Sequence, residues 1–245
     1  MNTLLFSCVL CLANFCNPVK LPSTFTKCDK RKIDFDNCLS EAIKNAISQL
    51  NKPMNEYNLP SFEPFFIPII LSKVVKNGNF DNKLKNYRIF GHTKITYLKA
   101  TMNFEEKTMT MAITNPEVRY ELDYEAKGVM FLMPIDTAGP AVATAQNATY
   151  TLTFTFEDYT RDKRDYFLVI DTKLDMNMQS MTFHFENLFK DKILNEAFNR
   201  ELSANMKKVL EYSLPIYFDS YAQCYERVFN NFLEKVPLTE LFDGL

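Results

Sequence analysis

Two histidines, His92 and His184, are the only imidazoles in 245 residues, so base-assisted hydrolysis and metal ligation have few places to occur. His184 lies between Phe183 and Phe185, where alternation puts it on a solvated strand face. His92 follows Gly91 in what reads as a strand and is likewise taken as an ordinary surface histidine. Neither stands in an H-E-x-x-H pair, no G-x-S-x-G elbow occurs, and neither lies close to a cysteine at the short spacing of a zinc site. Paired carboxylates such as Asp123 and Glu125 fall on an exposed strand face. Five glycines leave no phosphate-cradling loop. The residues therefore point to no catalytic machinery, no metal and no cofactor.

Cysteine chemistry depends on compartment. Leu4 to Leu12 is an uncharged apolar run stopped by Asn14, Asn17 and Pro18. It reads as a signal peptide over residues 1–16, with a buried N-terminal helix as the alternative. Secretion would remove Cys8, Cys11 and Cys16 and leave Cys28, Cys38 and Cys224 in an oxidising environment. A bond between Cys28 and Cys38 would close a loop of about eleven residues, worth roughly 2.5–3 kcal/mol; two free thiols are the alternative. Cys224 falls on an apolar helical stripe and reads as a small buried hydrophobe. The sequon at Asn147, Asn147-Ala148-Thr149, fits a glycosylated extracellular surface.

Soft apolar surface is what the chain holds in quantity: eleven methionines and 22 phenylalanines, with 47% hydrophobic and 24% charged residues. Lys and Arg number 28 against 30 Asp and Glu, both signs scattered, so nothing suggests a nucleic-acid partner. Beyond the N-terminus the longest apolar stretch, Pro64 to Leu71, is too short to span a bilayer and contains Pro68. Nothing marks a domain boundary, and residues 17–245 read as a single domain.

Two periods must position these side chains. Leu39, Ala42, Ile43, Ala46, Ile47 and Leu50, following Asp36 as N-cap, predict a helix that stops before Pro53. A proline-rich extended connector holds Phe65, Ile69 and their neighbours. From about Tyr87 to Phe185 the period is two. Met109, Met111 and Ile113 alternate with polar residues, and past Pro116 the phase resets to Val118, Tyr120, Leu122 and Tyr124. Tyr150, Leu152, Phe154 and Phe156 face one way and the intervening threonines the other. Leu168, Ile170, Leu174 and Met176 continue that face, and Met181, Phe183 and Phe185 close it. The helical period then returns through Ile193, Leu194, Ala197, Phe198, Leu202 and Met206, and Pro215 is read as opening a last helix that runs to Pro237. Its broad apolar side, with Tyr221, Tyr225 and Phe229, suits coverage by a curved sheet. Met109, Met111, Phe131, Met133, Phe154, Met176 and Phe183 then share one inner face, either as packed core or as an adaptable wall for an apolar ligand.

Several blocks carry a resemblance. They are Leu21-Pro22-Ser23 with Cys28 and Asp34-Phe35-Asp36-Asn37-Cys38; Leu59-Pro60-Ser61-Phe62-Glu63-Pro64-Phe65; Tyr124, Gly128 and Phe131-Leu132-Met133-Pro134-Ile135 before Gly139-Pro140; Phe183-His184-Phe185-Glu186-Asn187-Leu188-Phe189; and Val236-Pro237-Leu238-Thr239-Glu240-Leu241-Phe242. In that order they resemble the insect takeout and juvenile-hormone-binding protein family over nearly the whole mature chain. The resemblance implies an α+β fold in which a long C-terminal helix is wrapped by a strongly curved antiparallel sheet enclosing an apolar tunnel. It implies a disulfide between Cys28 and Cys38, and a secreted, non-enzymatic haemolymph carrier of a terpenoid such as juvenile hormone, a fatty acid or a similar lipid. Cys224 is alone where hormone-binding members have a second disulfide, which favours a takeout-like member. Asp136-Thr137-Ala138 stands where the family often has a glycine-containing turn, and Ala141 to Ala148 is short-chained.

The tunnel wall expected from these readings comprises Phe65 and Ile69 from the connector, Met109, Met111, Ile113, Tyr120 and Leu122, then Phe131 and Met133. It continues through Tyr150, Leu152, Phe154, Met176 and Phe183, and ends with Phe198, Tyr221, Tyr225 and Phe229. Two other functions fit the composition: a secreted scaffold with a filled core that binds a receptor or another secreted partner, and an esterase working near His92 or His184.

Overall fold

Period-two alternation becomes the longest strands of the molecule, which is a computed structural model describing residues 19–71, 80–130 and 133–245. The leader expected at 1–16 and its three cysteines lie outside the described residues, as does Phe131; Met133 begins a strand, but its side chain is also outside them. In chain order come β1 (Cys28–Asp29), α1 (Phe35–Ser48), β2 (Phe65–Leu71), β3 (Phe80–Phe90), β4 (Tyr97–Asn103), β5 (Thr108–Met130) and β6 (Met133–Arg161). Then follow β7 (Arg164–Asn177), β8 (Ser180–Phe185), α2 (Lys192–Ala204), α3 (Met206–Leu233), α4 (Leu238–Leu241) and β9 (Phe242–Asp243). The main sheet is antiparallel, ordered β2-β3-β5-β6-β7, with β4 added to β5 and β8 to β6. It curls into a half-barrel around α3. This is the expected α+β architecture, although Asp136–Ala138 runs inside β6, paired with Glu125–Lys127, and makes no turn.

Curling this tightly needs places where the pleat slips, and the sheet builds two of them alike. Pro68 of β2 lies opposite Asn86 of β3, and Pro116 of β5 lies opposite Asn147 of β6. Proline has no N–H for the ladder, and the facing asparagines turn left-handed, with φ of 49° and 46°. Side-chain phase jumps at each, so inward residues stand three apart: Ile67 and Ile70, Leu84 and Tyr87, Asn115 and Val118, Ala145 and Ala148. A third slip, a bulge opposite Thr155/Phe156, falls at Ile170. The slip at Pro116 is the phase reset expected from sequence, whereas those at Pro68 and Ile170 correct the even alternation expected there. Ile69, Leu168 and Ile170 face outward, 41–48% exposed, while Ile67, Ile70, Phe167 and Val169 point in.

Sheet edges are satisfied by helix side chains. Ser40 of α1 accepts from the Ala100 N–H of β4 at 2.8 Å. On α2, Asn195, Asn199 and Ser203 form a ladder at i, i+4 and i+8 along β8: Ser203 Oγ accepts from Phe183 N, Asn199 Oδ1 accepts from Phe185 N, and both asparagine amides donate to Phe185 O. Asn230 of α3 brackets Val169 of β7, accepting from its N–H at 2.8 Å and donating to its carbonyl at 2.9 Å. One consequence is that Ile193 and Leu194, expected on the buried stripe, are exposed, because α2 turns its amide face to the sheet.

The last helix also differs from its expected form. α3 begins at Met206 and passes through Pro215, so the break lies at Asn205. There the Asn205 side-chain amide donates to Glu201 O at 2.9 Å and closes α2. Pro215 and Glu211, whose carbonyl the proline leaves without its helical donor, are both exposed, so water can serve that carbonyl. In a helix of 28 residues, about 42 Å long, burial of Met206, Leu210, Tyr221, Tyr225, Val228 and Leu233 outweighs the proline cost of roughly 3 kcal/mol. α1 starts one residue before Asp36, with Asp34 at its N-cap position. Cys28 and Cys38 are bonded, tying β1 to α1, and Cys224 is a free, half-buried thiol. Among the described residues no helix is long and apolar enough to cross a membrane, and no group of three or more metal-ligating side chains occurs.

Candidate ligand site

Inside the half-barrel the side chains fall into three zones along α3. The first is filled. Phe154 of β6 has no accessible surface, stands 4.3 Å from the Phe229 ring and neighbours Phe156. Met109, Met111, Ile113 and Leu152 are buried around it, and Met176 is half-buried at its margin.

The second zone is a layer of six polar aromatics that closes on itself. His92 contacts Tyr225 and Tyr150; Tyr150 hydrogen-bonds Tyr120; Tyr120 packs on Tyr87; and Tyr87 accepts from Tyr221, one turn of α3 before Tyr225. The Tyr120–Tyr150 hydroxyls are 2.6 Å apart, and Tyr225 Oη is 3.0 Å from His92 Nε2. All six side chains are buried. Burial holds the His92 pKa down at about 4, so the ring is neutral at physiological pH. Burial pushes the Tyr120 phenol up to about 12 and raises Tyr87, Tyr150, Tyr221 and Tyr225 as well.

His92 reaches this layer because its turn is anchored from two sides. The Glu63 carboxylate accepts from the Gly91 and Thr93 N–H groups and the Thr93 hydroxyl at 2.8–3.0 Å. The buried Asn115 amide donates to the carbonyls of Gly91, His92 and Lys94 at 2.8–3.1 Å. Gly91 has φ +98°, and a Cβ there would meet Glu117 O at 2.3 Å. Phe62 and Phe65 pack against the imidazole. β3 ends at Phe90, so His92 is a buried turn residue and not the surface strand residue expected from sequence.

The third zone lies beyond Tyr120. Inward residues of β6 become Gly139, Ala141, Ala143 and Ala145, facing Leu122 and Tyr120 on one side and Phe185, Phe183 and Met181 on the other. Leu122 sits between buried Tyr120 and Tyr124, yet it keeps accessible surface, as do Met181, Phe183 and Phe185 of β8. Tyr217 and Phe218 of α3 and Phe198 of α2 are half-buried against the same core.

Phe65, Met109, Met111, Ile113, Tyr120, Tyr150, Leu152, Phe154, Tyr221 and Tyr225 are thus all inside, and Leu122, Met176, Phe183, Phe198 and Phe229 border the interior. Ile69 is not among them, because the Pro68 slip turns it outward. Sequence reading missed Tyr87, His92 and the alanines. Glu63 and Gly91 flank the signals for His92, but their roles depend on Asn115, more than twenty residues away.

Two grooves open to solvent. One, about 460 Å³, is lined by Glu41, Lys44 and Thr93 beside α1; the other, about 430 Å³, lies between β8 and α2 and includes His184, Glu196 and Arg200. Ser203 also lines the second groove, but its hydroxyl donates to Asn199 O and accepts from Phe183 N, so it stands in the edge ladder and not against His184.

The family model for haemolymph juvenile hormone binding protein matches residues 4–243. The chain belongs to that family. Among solved structures it is similar to Takeout 1 of Epiphyas postvittana, with TM-score 0.76 and 18% identity over 89% of this chain and 99% of that one, which shows a shared fold. Lipopolysaccharide binding protein matches at TM-score 0.41 and 11% identity over 80% of this chain and 39% of that one. No curated protein matches in a sequence search.

Proposed function

We propose that this family member is a secreted, non-enzymatic carrier that encloses one small hydrophobic ligand between the alanine-lined part of β6, β8 and the first half of α3. One observation carries the reading: Leu122, Met181, Phe183 and Phe185 point inward yet keep accessible surface, whereas Met109, Met111, Leu152 and Phe154 of the other zone are sealed. Apolar wall that points inward and still keeps accessible surface is where a lipid gains most. Removing about 400 Å² of ligand surface is worth about 10 kcal/mol before association costs of 4 or more, which supports micromolar or tighter binding. Leu122, Phe183, Phe198, Tyr120 and Tyr221 border this chamber, whereas Phe154, Leu152, Met111 and Met109 form the packing behind it. Phe131 and Met133 belong to the proposed wall by sequence alone.

The disulfide and the family support an extracellular site of action. Asn147 is exposed, which supports a glycan there, and loss of mass on glycosidase treatment would show it. The carrier reading is tested by mass spectrometry of an apolar extract of the purified protein, together with displacement of a neutral fluorescent probe. Stoichiometric lipid and saturable displacement are expected. An extract without lipid and a probe that never binds would instead support the filled scaffold.

A further inference from the structure

The two end strands of the main sheet, β2 and β7, carry pairs of outward apolar residues. On β2 the slip at Pro68 puts Phe66, Pro68 and Ile69 on the solvent face within four residues, with Phe66 49% and Ile69 48% exposed. On β7 the pair is Leu168 and Ile170. Single apolar residues on a surface are ordinary, whereas neighbouring ones mark a contact face.

The charges beside the two pairs differ. In the antiparallel register Phe66 lies opposite Arg88 and Ile69 opposite Lys85 of β3, so each apolar side chain has a cation next to it on the same face. Lys83, also exposed, continues the basic row. The carboxylates of Glu121, Asp123 and Glu125 follow on β5, one strand further round the curl. Glu125 is engaged by Lys83 and Lys85, Glu121 by Arg119, and Asp123 by the Asn86 amide, which leaves Arg88 without an ionic partner among the described residues. Leu168 instead lies opposite Glu157, and Asp171 follows Ile170, so the β7 pair sits beside carboxylates. Nor does β2 suit pairing with another strand: Pro68 has no N–H and Asn86 opposite it is left-handed, which interrupts the ladder at this edge.

Resting on the carrier reading, we propose that the outer face of β2 and β3, formed by Phe66, Pro68, Ile69, Lys85 and Arg88, docks the protein on an anionic lipid surface. Phe66 and Ile69 enter the boundary between head groups and acyl chains, while the Arg88 guanidinium and Lys85 ammonium stay level with the lipid phosphates. The inner face of the same strand puts Phe65 against His92 and Tyr225. Docking therefore sets the membrane against a strand that backs the interior, which suits exchange of a lipid between the two.

Flotation of the full chain with vesicles tests this, comparing phosphatidylcholine alone with phosphatidylcholine containing about one-third phosphatidylglycerol. The chain is expected to bind the anionic vesicles at least ~10-fold better, an advantage that high salt weakens. Phe66→Ser combined with Ile69→Ser should cut that binding ~10-fold or more. Arg88→Glu, at an exposed position, should cut it about 5-fold or more, the worth of one cation near such a surface. Leu168→Ser combined with Ile170→Ser should leave it unchanged. A wild-type chain that does not float, full binding by the folded serine pair or by Arg88→Glu, or an equal loss from the β7 pair overturns the docking face. So does a wild-type dimer that the β2 serine pair disperses, which would assign the face to a second copy of the chain. Every variant should keep saturable binding of N-phenyl-1-naphthylamine in solution. A wild-type chain that floats yet never binds this probe would contradict the carrier and not the docking face.

Discussion

The two halves of β6 face the same helix with opposite inner surfaces. From Tyr150 to Phe156 its inward residues are Tyr, Leu, Phe and Phe, opposed by Ile113, Met111 and Met109, and little accessible surface survives. From Gly139 to Ala145 they are Gly, Ala, Ala and Ala; opposite them Tyr120 and Tyr124 of β5 are buried, while Leu122 of β5 and Met181, Phe183 and Phe185 of β8 stay partly accessible. The kink at Pro116 and Asn147 lies at the join. In the proposed carrier, one strand thus supplies both the solid core that makes the fold stable and the thin wall beside the guest, with the tyrosine layer between them. Stability and binding should separate along β6 accordingly.

The sharpest separation should come from Phe154→Ala. It empties a sealed site and should cost about 3–5 kcal/mol in denaturant unfolding, with ligand affinity unchanged once the protein is folded. A loss of binding without that cost would mean the chamber extends into the filled half. Acid should act next most strongly, on the layer. The folded pKa of His92, about 4, is below its ordinary value of 6.5, so the unfolded chain takes the proton first. The stability from keeping this ring neutral is fully present above pH 6.5 and is lost as pH falls towards 4, by about 3 kcal/mol. His92→Gln should remove that slope, about 1.4 kcal/mol per pH unit, from stability measured across the same window. Cys38→Ser should cost about 2–4 kcal/mol and leave binding alone, because the bond ties β1 to α1, away from the alanine wall. Thr153→Ala, one residue from Phe154 on the outer face, loses only a 3.2 Å contact with the Thr110 hydroxyl; about 0.5 kcal/mol or less is expected, with no effect on lipid.

Much of this contrast was legible in the sequence. Alternation located the inner faces of β5 and β6, and the phase reset at Pro116 was visible because a proline marks it. Pro68 marks the equivalent slip opposite Asn86 but stands among the prolines of the connector, and the slip at Ile170 carries no mark: a bulged isoleucine is permitted by local sequence but decided by the partner strand. Ile69, Leu168 and Ile170 were placed inward for that reason. Pro215 was read as a helix start by local preference, and tertiary packing of α3 overrode it. His92 depends on a carboxylate and an amide from distant segments, which no spacing rule reveals. The alanines of β6 were visible as short side chains, but their meaning required knowing that Tyr120 and Phe183 flank Ala143 across the sheet.

Ala143→Phe is the most direct test that the alanine wall borders a ligand chamber. The new ring would enter from β6 between Tyr120 and Phe183. If space for a guest lies there, unfolding free energy should change by less than about 1 kcal/mol, below the 1–3 kcal/mol typical of overpacking, while lipid binding falls at least ~10-fold. Full overpacking cost with lipid binding intact would show that this half is as solid as the other and that any ligand sits elsewhere.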